Sequence, residues 1–133
     1  MMQKNELERF TIRKRLRSFR FAFGGIKTMI KNEHNSRVHF VALVVVIIVG
    51  IVLKIELLEW VAISIVSGVV ILTELLNSAI EKLADFVEPA WNEKIGTIKD
   101  YCAGAVLISA LIAVIVGGLI FIPKIIELIK GFC

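Results

Sequence analysis

YCAGAVLISALIAVIVGGLIFI, residues 101–122, is the stretch that decides the fold. Its 22 residues carry no charge. As a helix they extend about 33 Å, enough to cross the hydrocarbon core of a bilayer. Two shorter charge-free runs precede it, Val38–Leu53 with 16 residues and Trp60–Thr73 with 14. Those reach spanning length when Arg37, Lys54 and Glu59 at their edges snorkel, or when protein shelters their polar ends. The chain as a whole has 133 residues, 57% apolar and 21% charged, with a mean hydropathy of +0.82. That composition excludes disorder and an ordinary small soluble domain. The reading is an all-α integral membrane protein of one domain, residues 1–133, with transmembrane helices over 36–54, 57–86 and 98–122.

Charge orients these spans. Residues 1–37 hold ten Lys/Arg and three Glu, whereas residues 74–100 hold three Lys and six acids. The basic N-terminal segment belongs in the cytoplasm. Three spans then place the 54–59 turn outside, the 86–98 loop inside, and Cys133 outside. The short outer turn makes the first two spans an antiparallel hairpin. Trp60 and Trp91 fall near opposite interfaces. A basic segment could also mean nucleic acid, but beside these apolar runs it indicates a membrane. No small-residue cleavage site follows the first apolar run, so a signal peptide is not expected.

The N-terminal segment has its own pattern. Ile12, Leu16, Phe19, Phe23, Ile26 and Ile30 lie within about 40° of one direction on a helix. Arg13, Lys14, Arg17, Arg20, Lys27 and Lys31 lie largely off that stripe. Residues 8–32 are therefore expected to form a basic amphipathic helix in the membrane surface, placed to attract anionic phosphates.

The chemistry concentrates in TELLNSAIEKLAD, residues 73–85. Glu74, Glu81 and Asp85 point within about 40° of one another, and Asn77 and Ser78 flank the same face. Acids near a bilayer cost a few kcal/mol each on insertion scales. Three on one face also repel, so they call for a cation or basic partners. Mg²⁺ fits, because it takes one or two carboxylates together with phosphate oxygens. Lys31-Asn32-Glu33 and Lys99-Asp100 converge on the same interface. Acids, an amide and a lysine are the parts of phosphoryl transfer: metal ligands, a base for a hydroxyl, and a cation for phosphates.

Other chemistries lack their residues. Gly24-Gly25-Ile26-Lys27-Thr28 is not a P-loop, since its lysine does not follow a glycine. Protein-kinase motifs and a GxSxG elbow are absent. Cys102 and Cys133 have no metal-ligand spacing, and His34 and His39, five apart, do not share a helix face.

The run from Glu74 through Asn77, Ser78, Glu81 and Asp85, followed by Lys99-Asp100 and Ala103-Gly104-Ala105-Val106-Leu107, resembles the signature of the small bacterial integral-membrane diacylglycerol kinases. That family includes the undecaprenol kinases of Gram-positive bacteria. The resemblance covers about residues 14–124, with Lys31-Asn32-Glu33 at the family's acidic position before the first span. It implies a surface helix and three spans in a homotrimer with shared active sites, facing the cytoplasm from the bacterial plasma membrane. It also implies an ATP- and Mg²⁺-dependent lipid kinase. Glu74 would be the general base on the lipid hydroxyl, and Glu33 and Glu81 the Mg²⁺ ligands. Asn77, Asp85, Lys99 and Asp100 would organise the nucleotide, and Ala103 would contact the lipid. Lys14 stands where the family often has arginine near ATP, which keeps the charge but loses the bidentate fork. Phe21 and Ala22 replace a Tyr-Ser pair at the nucleotide.

Phe21-Ala22-Phe23, Asn35, Glu59-Trp60 and Phe121-Ile122-Pro123-Lys124 resemble the undecaprenol kinase branch. Diacylglycerol is the alternative acceptor. Two non-enzymatic readings also exist, a small multidrug-type transporter with Glu74 as a proton site, and an assembly subunit. The acids cluster at one interface with a lysine, which favours surface chemistry over a central proton path.

Overall fold

The computed structural model describes residues 12–131, with side chains from Leu16 onward. The expected helix start at residue 8, the Lys14 side chain and Cys133 lie outside the described residues. Four helices follow in order: α1 Ile12–Asn32, α2 His34–Val52, α3 Leu57–Val87 and α4 Glu93–Lys130. No strand occurs among the described residues. Helices α2, α3 and α4 are each long and apolar enough to cross a membrane.

One residue separates α1 from α2. Glu33 has an extended backbone, with φ −104° and ψ 124°. The expected apolar stripe of α1 keeps Leu16, Phe19 and Phe23 exposed. The helix packs on the bundle through Met29, which is buried and lies off that stripe. Its apolar face is thereby left free for lipid.

The α2–α3 turn is locally over-determined. Lys54 adopts the left-handed conformation, φ 51°. The Ile55 amide bonds back to the Gly50 carbonyl and the Lys54 amide to the Ile51 carbonyl, a Schellman ending. Gly50 is required there, because a Cβ would sit 2.7 Å from the Trp60 ring. The Glu59 carboxylate then accepts the Glu56 amide at 2.6 Å and opens α3.

Helix α4 packs mainly on α3. Thr73 and Ser109 share a hydrogen bond of 2.9 Å across that contact. Small residues, among them Ala42, Ser67, Ala113 and Gly117, leave a cleft of about 370 Å³ between α2 and the α3–α4 pair.

The last helix departs most from the sequence reading. It begins at Glu93 rather than near 98, since Asn92 caps it by accepting the Lys94 and Ile95 amides. The α3–α4 connection, expected over 86–98, thus shortens to Glu88–Asn92. It also continues through Pro123 to Lys130 instead of ending near 122. A proline forfeits one helical hydrogen bond. The Lys124–Glu59 ion pair at 3.0 Å holds the segment beyond it against α3.

Candidate functional site

The site lies where the α1–α2 junction meets the C-terminal half of α3. The buried face of α3 is Ile63, Val70, Glu74, Asn77, Ser78 and Ala84. Apolar side chains occupy its first half, as a spanning helix requires, and the polar ones follow one turn apart. The acids of this helix then grade outward, with Glu74 buried, Glu81 half-buried and Asp85 exposed.

Glu74, 2% exposed, receives a hydrogen bond from the Ser36 hydroxyl, 2.8 Å from its Oε1. One turn further along α3, the Asn77 side-chain amide donates to Glu81 Oε1 at 3.1 Å. That bond fixes the amide's orientation and leaves Asn77 Oδ1 buried with no hydrogen-bond partner. An unfilled buried acceptor is rare enough to require an explanation.

Two ion pairs border this buried group. Lys82 of α3 binds the Glu33 carboxylate. An acid at an N-cap ordinarily accepts an amide of its own helix. Glu33 makes no such bond to α2 and reaches α3 instead. Lys99 at the start of α4 pairs with Asp85 at the end of α3. Of the three acids on the α3 face, Asp85 is the one that takes a lysine, while Glu74 takes a hydroxyl and Glu81 an amide.

Along the C-terminal half of α3 the structure thus sets four contacts: Ser36 on Glu74, Asn77 on Glu81, Lys82 on Glu33 and Lys99 on Asp85. Asp100 and Ala103 are exposed on α4. Phe21 is exposed on α1, with the Arg17 guanidinium 5.6 Å from its ring centroid. Among the described residues no three or more His, Cys, Asp or Glu gather into a metal-holding group. Sequence reasoning assigned no role to Ser36 or Lys82. Ser36 is 38 residues from Glu74 and Lys82 is 49 from Glu33. A small polar residue entering an apolar span was the available signal for Ser36, and a lysine beside an acid that for Lys82.

A buried carboxylate held by a hydroxyl, with two acid–lysine pairs further along the same helix, suits phosphoryl transfer. Residues 20–121 match the family described as prokaryotic diacylglycerol kinase. The chain belongs to that family and is a membrane lipid kinase, an enzyme that uses ATP to phosphorylate an alcohol. It is 36% identical over 121 residues to an undecaprenol kinase of Bacillus subtilis, covering 91% of this chain and 94% of that protein. It is also 36% identical over 112 residues to a diacylglycerol kinase of Synechocystis, covering 84% of this chain and 64% of that protein.

Proposed function

We propose that this chain transfers the γ-phosphoryl group of ATP to the terminal hydroxyl of undecaprenol at the cytoplasmic face of the bacterial plasma membrane. One observation carries the chemistry: a carboxylate, Glu74, is buried at the membrane helices with one oxygen held by Ser36. As general base, Glu74 accepts the lipid hydroxyl's proton. The lipid oxygen bonds the γ-phosphorus, and the bond from that phosphorus to the bridging oxygen breaks, releasing ADP. A positioned base contributes typically about 10²–10⁴-fold to such a step.

The remaining groups take supporting roles. Glu33 and Glu81 would hold Mg²⁺. The donor set fits that ion, being oxygen alone and including the unpartnered buried Oδ1 of Asn77 nearby. Two carboxylates are a full protein share, because phosphate oxygens complete the coordination. When bound, the ion neutralises phosphate charge. Lys99, paired with Asp85, offers a cation to the phosphates, and Asp100, Phe21 and Lys14 complete the nucleotide side. Ala103 contacts the lipid. A homotrimer is part of this reading, supported by the exposed apolar face of α3 along Val61, Ile65, Val69, Leu72 and Leu76.

Undecaprenol is preferred as acceptor because the undecaprenol kinase relative matches almost end to end in both chains. The diacylglycerol kinase relative has a third of its length outside the match. Detergent-solubilised protein assayed with ATP on each lipid separates the two. Undecaprenol is expected to be phosphorylated at the higher kcat/KM. A higher value for diacylglycerol reverses the assignment, and activity on neither refutes it.

A further inference from the structure

Ser36 is the most enclosed residue among those described, with 0% of its surface exposed. Hydroxyls within helices usually bond back to a carbonyl three or four residues earlier. Thr28, Thr73, Thr97 and Ser109 all do so here, onto Gly24, Val69 and Val70, Glu93 and Val106 respectively. Ser36 does not. Its hydroxyl crosses from α2 to α3 and donates to Glu74 Oε1. Packing alone gives no reason for this choice, since alanine would fill nearly the same space without a polar group to satisfy.

A carboxylate presents two equivalent oxygens and can turn about its last bond. A serine has one proton to donate. Once that hydroxyl donates to Oε1, the carboxylate is fixed and Oε2 is the oxygen left to act. Among the described residues no donor reaches Oε2. Hydrogen bonds to an ionised acceptor are roughly twice as strong as neutral ones.

We propose that Ser36 is a positioning residue of the kinase: by holding Glu74 Oε1 it reserves Oε2 for the proton of the lipid hydroxyl. The proposal rests on Glu74 as base. The proton leaves the lipid oxygen for Oε2 as that oxygen bonds the γ-phosphorus and ADP departs.

The test uses the full chain in detergent with undecaprenol and ATP, comparing Ser36→Ala, Ser36→Cys, Glu74→Gln and the double variant Ser36→Ala/Glu74→Gln. Ser36→Ala should lower kcat about tenfold, the value of one charge-assisted hydrogen bond. The KM for each substrate should stay near wild type. Cysteine keeps the volume with a weaker donor, so its kcat should fall between alanine and serine. Binding of a non-hydrolysable ATP analogue and the oligomer size should not change. On the Glu74→Gln background, Ser36→Ala should cause no additional loss. Wild-type kcat in Ser36→Ala, with Glu74→Gln inactive, overturns the proposal and leaves the base assignment standing. Equal loss on both backgrounds also overturns it, because Ser36 then acts independently of Glu74. Retained activity in Glu74→Gln overturns the base and the proposal together. If the alanine variant does not assemble, wild-type kcat in the cysteine variant overturns the proposal.

Discussion

Helix α3 carries a glutamate in its first turn and another where its polar half begins, and the two are held differently. In the first turn, Glu59 Oε2 takes both the Glu56 amide and the Lys124 ammonium. In the polar half, Glu74 has one hydroxyl, and beside it Asn77 keeps a carbonyl oxygen with no partner. The first-turn acid is half-buried and could have been left to solvent, yet it holds an amide and an ammonium. The second group is buried, where an unfilled acceptor costs most, and it is left open. The first-turn pairing closes the fold at one end of α3, while the polar half leaves Asn77 Oδ1 without a partner.

The sharpest attempt to break this contrast is Glu74→Gln. It keeps size and polarity but removes the proton acceptor. The chemical step should slow by roughly 10²-fold or more, with nucleotide affinity nearly unchanged. The protein should still insert and assemble, since neutralising an acid eases burial. Near-normal phosphorylation by the assembled variant would falsify the base assignment.

Next in size come Glu81→Gln and Glu33→Gln. Each removes an anionic oxygen, so each should lower activity and raise the Mg²⁺ needed for half-maximal rate. Unchanged Mg²⁺ titrations in both variants would show that these carboxylates do not hold the ion.

At the α2–α3 turn and the first turn of α3, changes should affect folding and leave chemistry alone. Gly50→Ala forces the Trp60 ring to move. Overpacking of this kind costs about 1–3 kcal/mol, partly offset by alanine's better helix propensity. Thermal unfolding in detergent should shift downward while kcat per assembled enzyme stays constant. A fall in kcat with unchanged stability would mean that the α2–α3 turn communicates with the site.

The smallest effect belongs to Lys124→Met, which removes one partner of Glu59 and leaves the Glu56 amide in place. Lipid phosphorylation should continue at the wild-type rate, with a slight loss of thermal stability. A strong loss of activity would contradict the division of labour between the two ends.

The sequence by itself determined the class of fold, because insertion in a bilayer depends on local composition. A charge-free run over 101–122 has few alternatives to a spanning helix. It also determined the acidic face of α3, since Glu74, Glu81 and Asp85 are fixed relative to one another by helical spacing alone. It did not determine where α4 begins and ends. Asn92 acts as a cap only through the backbone it meets, and Pro123 is carried within a helix whose far side is tied to Glu59. Nor did it determine which partner each acid takes. The Ser36–Glu74 and Lys82–Glu33 bonds join residues 38 and 49 positions apart. No periodicity encodes such pairs. They exist because Glu33 breaks the helix and turns α2 against α3, and only that tertiary packing decided that one glutamate would be buried with a hydroxyl on a single oxygen.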